Sequence, residues 1–217
     1  MKKILILVAF AIGFAVNAQD KLNEGVLVSK QTITSKNEQV QAQLAMMGDM
    51  VSETYFKGSK SRAEMSNPMT GDITTISDGD SKEVRVLMDN PQAGKMYNTK
   101  SINDAELASK EIIVTKGEES KTILDYNCQQ YFVTIKDGDN EMNIELFVTD
   151  KIQAFSADSS LYKDKIEGFP LYSSMDINQN GMDMTVTSQV TAIRKEGVSD
   201  DKFVMVPPSG YTKIEGQ

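Results

Sequence analysis

The sequence has no histidine, no tryptophan and a single cysteine among its 217 residues. Without histidine, Ser-His-Asp and Cys-His catalysis, histidine-ligated zinc or copper and a histidine pH switch are all excluded. The lone Cys128 cannot form an intramolecular disulfide, so packing must hold the fold together. We expect Cys128 to be a buried small hydrophobic residue, the alternative being a bridge between two chains. No motif in the remaining residues specifies a reaction, so we predict a protein that is not an enzyme and has no catalytic residues, cofactor or metal.

Basic residues are also in short supply. Lys and Arg together number 23 against 31 Asp and Glu, a net charge of -8. Affinity for nucleic acid comes largely from Lys and Arg that neutralise phosphates, so a nucleic-acid partner is not expected. The same excess of acids repels anionic membrane surfaces.

The N-terminus carries the pattern of an export signal. Lys2 and Lys3 precede an apolar run from Ile4 to Val16, and Ala18 ends a small-residue cleavage site. The run is too short to span a bilayer comfortably, and no cysteine follows Ala18 to accept a lipid. We expect residues 1–18 to be a signal peptide and residues 19–217 to form one exported domain. That domain would be periplasmic or secreted, neither membrane-spanning nor lipid-anchored.

Period-two alternation dominates the rest of the chain. Met142, Ile144, Leu146 and Val148 alternate with mostly polar residues, and stretches near 82–89 and 182–194 repeat the pattern. Strands with one apolar and one polar face are typical of an antiparallel sheet with one solvated side. Gly-containing turn pairs separate the runs where hairpins need them. The predicted strands are 25–35, 51–58, 60–66, 72–78, 82–89, 95–99, 111–116, 121–126, 127–136, 141–150, 169–177, 182–194 and 203–206.

Helical patterns are few. Asn37 is a good N-cap for a helix from Glu38 to about Gly48, which has one apolar stripe. Further helices are predicted over 103–110 and 157–166. The predicted fold class is therefore mainly β (α+β): a single curved antiparallel sheet that forms an incomplete barrel, with two or three helices covering its concave face.

The segment Asp176–Gly181 reads D-x-N-x-N-G, the first half of a calcium loop. The second half is missing, because Thr187 stands where a bidentate Glu should be. Both flanks alternate like strands. An Asn-Gly hairpin is therefore the favoured interpretation, with calcium as the alternative.

Methionine is unusually frequent, with 13 in the chain. Thioethers can bind Cu(I), but no Cys or His completes such a site here. Met also forms pliable apolar surfaces that suit variable ligands. We therefore predict a hydrophobic lining made by Leu44, Met47, Met88 and Met184. Arg62 is a further candidate that would meet a ligand head group, the alternative being a place on the surface.

Four stretches resemble a family of uncharacterised envelope proteins, a domain of unknown function related to the outer-membrane lipoprotein carriers of the LolA and LolB type. They are Tyr55–Arg62, Lys121–Tyr131, Gly168–Leu171 and Phe203–Tyr211. The resemblance implies an incomplete antiparallel barrel that holds helices in its mouth. In the carriers, an Arg on an early strand and aromatic residues on the helices hold acyl chains. Arg62 matches the first role, whereas the helix from Glu38 to Gly48 has no aromatic residue.

Two functional hypotheses follow. The first is an exported binding protein that holds a lipid or other hydrophobic small molecule against the concave face of the half-barrel. The second is a non-enzymatic envelope interaction protein with a packed core and a protein partner. A pocket lined by the apolar residues named above would favour the first, and a solid interior the second.

Overall fold

The computed structural model describes residues 20–67, 71–102, 110–138, 140–156, 162, 165–179 and 182–214. The predicted signal peptide lies outside these residues. In this part of the chain the strands are β1 (Glu24–Ser35), β2 (Met50–Lys57), β3 (Lys60–Asn67), β4 (Gly71–Asp78), β5 (Glu83–Asn90), β6 (Gly94–Ser101), β7 (Glu111–Ile123), β8 (Tyr126–Asp137), β9 (Asn140–Thr149), β10 (Phe169–Gln179), β11 (Met182–Arg194) and β12 (Thr212–Lys213). Helix α1 spans Glu38–Met47, and a 3-10 helix spans Asp200–Phe203.

All twelve strands belong to one sheet, in the order β12-β6-β5-β4-β3-β2-β1-β11-β10-β9-β8-β7. The sheet is made of two antiparallel meanders, β1 to β6 and β7 to β11, which join where β1 pairs with β11. Only β12 runs parallel to its neighbour, β6. The sheet is not closed into a barrel. The prediction of a mainly β protein built on one antiparallel sheet is confirmed.

Helix α1 agrees with its prediction in position but covers less than expected. The side chain of Asn37 accepts hydrogen bonds from the backbone N–H groups of Gln39 and Val40 and so caps the helix. The helix contacts mainly β1; Leu44 is half-buried and Met46 is 74% exposed. It is the only α-helix in the described residues, where two or three were predicted. Residues 103–109 and most of 157–166 lie outside them.

Two strand predictions were wrong. Residues 111–116 and 121–126 do not form two strands, because β7 continues from Glu111 to Ile123 through a register shift between Lys116 and Ser120. Residues 203–206 are not a strand, since Phe203 ends the 3-10 helix and packs onto the sheet. Its apolar neighbours Val204 and Val206 are exposed, so the apolar run does not mark period-two burial.

The C-terminal residues 198–214, which we call the strap, cross one face of the β1–β6 half. Val198 and Phe203 are buried against Val26 and the half-buried Tyr55. Beyond them, the backbone N–H of Ile214 donates to the carbonyl of Tyr97. The strap therefore supplies a second layer to a sheet half that would otherwise be open on this side.

Ion pairs orient the strap. The Lys57 ammonium lies 2.9 Å from Asp200 and 3.5 Å from Glu24, and Glu24 accepts a hydrogen bond from the backbone N–H of Val198. Lys202 lies 3.8 Å above the ring centre of Tyr55. Exposed ion pairs stabilise little, so their main effect is to set where the strap lies.

The largest core cluster lies where the two meanders meet and contains Leu27, Phe56 and Phe147, none of them exposed to solvent. Cys128 belongs to it and is 1% exposed, as expected for a small hydrophobic residue. Burial raises the pKa of the Cys128 thiol to about 11. The thiol is thus protonated at neutral pH and is a poor nucleophile.

Candidate ligand-binding pocket

One side of the sheet carries an apolar row that crosses six strands. Directly paired residues of neighbouring strands point to the same side of a sheet. The register places the following residues side by side: Val114, Val133, Ile144, Met175, Val186 and Ile33. We call this side the pocket face. The strap lies on the opposite side.

The alternation seen in β9 accounts for part of this face. Met142, Ile144 and Leu146 pair with Ile135, Val133 and Tyr131 on β8, so the period-two set does share one side. Leu146 is 2% exposed, whereas Met142 at the end of the strand is 37% exposed. Burial therefore decreases along β9 from Leu146 toward Met142.

A pocket of about 510 Å³ opens on the pocket face. This volume falls within the range of roughly 300–1,000 Å³ that is usual for ligand sites. The pocket is lined by Gln31, Ile135, Met142, Ile144, Leu146, Ser156, Tyr162, Pro170, Ser173, Met175, Val186 and Ser188. None of these residues is charged, although 25% of the chain is.

A polar row lies beside the apolar one. Gln31 pairs with Ser188, and Ser188 pairs with Ser173, so three uncharged polar side chains stand next to each other on β1, β11 and β10. All three are half-buried. They make no side-chain hydrogen bond to any described residue, which leaves their donors and acceptors open to the pocket.

Described residues between β9 and β10 cover one end of the pocket. Tyr162 and Ile166 are buried against Leu146 and Val133, and the backbone N–H of Ile166 donates to the carbonyl of Tyr162. The side chain of Lys165 donates to the carbonyl of Ile112 on the edge strand β7. The cover is therefore held by apolar contacts and a few local hydrogen bonds.

Gly168 ends this cover and has a conformation that other residues rarely adopt, with φ of +110°. A Cβ at this position would lie 2.1 Å from the carbonyl oxygen of Thr149. Only glycine allows the chain to pass this close to the end of β9. The following strand then places Pro170 in the pocket wall.

A second, polar pocket of about 540 Å³ lies at the ends of β10 and β11 and shares no described lining residue with the first. Its lining includes Ile177 and Met184, which are paired with each other one row beyond Met175 and Val186. One lysine and three acids also line it, namely Lys36, Glu141, Asp176 and Asp183. The strand register places Ile177 and Met184 on the pocket face but Glu141, Asp176 and Asp183 on the opposite side, so these acids do not face the apolar row.

The sequence-predicted site residues do not come together. Met184 and Met88 lie on the pocket face, but Met184 lines the polar pocket and Met88 is on β5, four strands away from β1. Arg62 lies on the opposite side, paired with Tyr55 and Ile76, and donates to Glu64 and to the carbonyl of Lys202. It thus holds the strap.

Of the two helical candidates, Leu44 lines neither pocket. Leu44 is half-buried on α1, and the side chain of Met47 lies outside the described residues. Sequence reasoning missed the polar row entirely. Gln31 and Ser188 are far apart in the chain, so only the register of β1 against β11 brings them together. The apolar pattern of β9 was the one usable signal for the pocket.

The structure favours the hairpin over the calcium loop. Strands β10 and β11 pair antiparallel up to Gln179 and Met182, and the Asp176 carboxylate accepts a hydrogen bond from Thr185. Across the described residues, no group of three or more Cys, Asp or Glu side chains is arranged to hold a metal ion.

Residues 37–164 match the model of a family described as a domain of unknown function, DUF4412. This range is more than half of the chain. The chain belongs to this family. The matched range of the DUF4412 domain runs from α1 past β9, so the polar row on β1, β10 and β11 lies outside it.

No curated protein matches the chain. Among solved structures, two crystal forms of PNGF-II are similar to it, with TM-scores of 0.48 and 0.47 at 14% and 13% identity. These matches cover 88% of this chain but only 31% and 32% of PNGF-II, so the chain spans about a third of that protein's length. An uncharacterized conserved protein from Thermus thermophilus is similar with a TM-score of 0.44 at 9% identity, covering 87% of this chain and 91% of that one.

Within the described residues, no helix combines the length and the hydropathy needed to cross a bilayer.

Proposed function

We propose that this DUF4412 protein is an exported, non-enzymatic binding protein that holds a lipid or other hydrophobic ligand on the pocket face of its sheet. In this proposal the pocket face is the concave side of an incomplete barrel, and residues 1–18 direct the chain to the periplasm or out of the cell. The single observation that carries the proposal is the pocket of about 510 Å³, in which none of the described lining residues is charged.

The lining of the pocket supports this role. Val186, Met175 and Ile144 present aliphatic and thioether groups in one continuous row, and the Met side chains adapt to ligands of different shape. Binding sites for small molecules are mostly apolar with a few placed polar groups. The resemblance to lipoprotein carriers points to the same ligand class, although the residues that line the pocket differ from those the resemblance implied.

A neutral, polarity-sensitive dye tests the proposal. N-phenyl-1-naphthylamine should bind delipidated protein saturably, with a rise in fluorescence. Val186→Phe fills part of the pocket and is expected to weaken dye binding by at least about fivefold, because the added ring displaces the ligand. Val84→Phe is the matched control, since Val84 is also half-buried in a strand on the same side but does not line the pocket.

The proposal fails if the dye shows no saturable binding, or if the two valine variants weaken it equally. Native mass spectrometry of the exported protein gives an independent readout, since a bound lipid would travel with the chain. Absence of both signals would favour the alternative of an envelope interaction protein with a packed interior.

A further inference from the structure

We propose that the pocket selects an uncharged amphiphile, of the monoacylglycerol class, over a fatty-acid anion with the same chain. This inference rests on the proposed function and specifies its ligand. It starts from the lining, in which no described residue carries a charge. A carboxylate that entered would lose hydration and find no cation among the described lining residues, which is costly in an apolar site.

The nearby lysines do not supply that cation. Lys165 donates to the carbonyl of Ile112. Lys116 is exposed on the edge strand β7, three strands away from Ser173 in the same cross-strand row. Beyond the end of the apolar row, Asp176 and Asp183 directly follow or precede Met175 and Met184 in the chain and therefore lie on the opposite side of the sheet. They supply no cation to the pocket face.

The polar row offers what a neutral head group needs. Gln31 provides an amide with two donors and an acceptor, and each of Ser188 and Ser173 provides a hydroxyl that donates and accepts. Directly paired side chains lie about 5 Å apart, so the row matches a head group with two or three neighbouring hydroxyl or ester oxygens. The acyl chain would then lie along Val186, Met175 and Ile144.

A competition experiment separates the two ligand classes. 1-Monolauroylglycerol and laurate share one acyl chain, and at about pH 8 the laurate carboxyl is ionised. Both are titrated below their aggregation concentrations against bound N-phenyl-1-naphthylamine. Monolauroylglycerol is expected to displace the dye at a concentration at least about tenfold lower, since its hydroxyls pair with the polar row while the carboxylate stays unpaired.

Two sets of variants locate the preference. The double variant Ser173→Ala with Ser188→Ala is expected to cut the preference for monolauroylglycerol by at least about fivefold, with each displacement curve corrected for the dye affinity of that variant. Ser174→Ala is the matched control, because Ser174 lies on the same strand but points to the opposite side. Gln31→Lys should shift the preference toward laurate by adding a cation to the row.

The outcomes distinguish the two proposals. Equal or tighter binding of laurate to the unaltered protein overturns the head-group assignment and leaves a lipid-binding function standing. A preference that survives the double serine variant also overturns it, since the polar row would then have no part in selection. Failure of the dye itself to bind overturns the proposed function first.

Discussion

The strap and the pocket, on the two halves of the sheet, differ in the charge of the side chains that surround them. In the β1–β6 half, the strap is held by charged side chains, including Lys57 with Asp200 and Lys202 with Glu64. In the β7–β11 half, the pocket is lined without a single charged residue among those described. Charged side chains thus contact the strap, whereas the described lining of the pocket of about 510 Å³ is neutral. The charged residues Glu141, Asp176 and Asp183 of the β7–β11 half line the separate polar pocket.

The difference shows what each type of contact contributes. Exposed ion pairs set where the strap lies but contribute little free energy. The burial of Phe203 and Val198 contributes most of the free energy that holds the strap on the sheet. Around the pocket, Tyr162 and Ile166 cover one end and leave the middle unfilled. A neutral lining keeps that volume suitable for an apolar ligand, because a charge there would require a partner or water.

The largest expected effect is at the strap. Phe203→Ala should lower the free energy of unfolding by about 3–5 kcal/mol, because it removes a buried ring and leaves a cavity against β3 and β4. Chemical denaturation measures this change. Val206→Ala is the control, since Val206 is 74% exposed on the same strap and should change stability by less than about 0.5 kcal/mol. Similar small effects at both positions would mean that the strap adds nothing to the β1–β6 half.

The next effect is at the pocket cover. Gly168→Ala should lower the free energy of unfolding by about 2–3 kcal/mol, because both the positive φ and the approach to Thr149 disfavour a side chain. Gly138 has φ of +61° and open space around its Cα, so Gly138→Ala isolates the cost of conformation alone and should lose about 1 kcal/mol. Chemical denaturation of both variants measures the loss of unfolding free energy, and dye binding is measured on the same variants. Equal losses would contradict the close approach at the end of β9.

The smallest expected effect is on the pKa of Asp200 in the strap. The hydrogen bond from Lys57 holds the pKa of Asp200 below its ordinary value of 3.8. A carboxyl with a lowered pKa stabilises the fold above its ordinary value, and this contribution is lost as the pH falls through the lower, folded-state pKa. Carbon-13 NMR titration should place the Asp200 midpoint below 3.8, and Lys57→Met should raise it toward 3.8.

Lys30→Met serves as the control for this titration. Hydrogen bonds from Lys30 and Thr32 lower the pKa of Asp49 at the start of β2, so the variant should move the Asp49 midpoint and leave Asp200 unchanged. An Asp200 midpoint that is insensitive to Lys57 would show that the ion pair does not form. The description of the strap as the charged layer would then be incorrect.

Local sequence patterns predicted part of this fold. Alternation in β9 and β11 and the cap at Asn37 specify structure over a few residues, where period and hydrogen-bonding chemistry act directly. The merging of residues 111–116 and 121–126 into β7 was not readable, because the bulge between Lys116 and Ser120 depends on pairing with β8. The strap was misread for a similar reason, since Phe203 is buried by a distant sheet face and not by its neighbours in the chain.

The predicted ligand-lining residues also separate what local sequence predicts from what long-range contacts decide. Met and Leu positions were chosen by residue type, which indicates what a side chain can line but not which cavity it faces. Arg62 was chosen because Arg is rare in the chain, and it proved to lie under the strap. The polar row had no local signal at all.

The order of residues alone thus established a β-rich chain with one antiparallel sheet, no histidine chemistry and a buried thiol, because composition and period-two patterning act over short distances. The folded arrangement alone decided which strands became neighbours. Pairing of β1 with β11 joined the two meanders and set Gln31 beside Ser188, so the pocket arose from long-range register that no local stretch of sequence encodes.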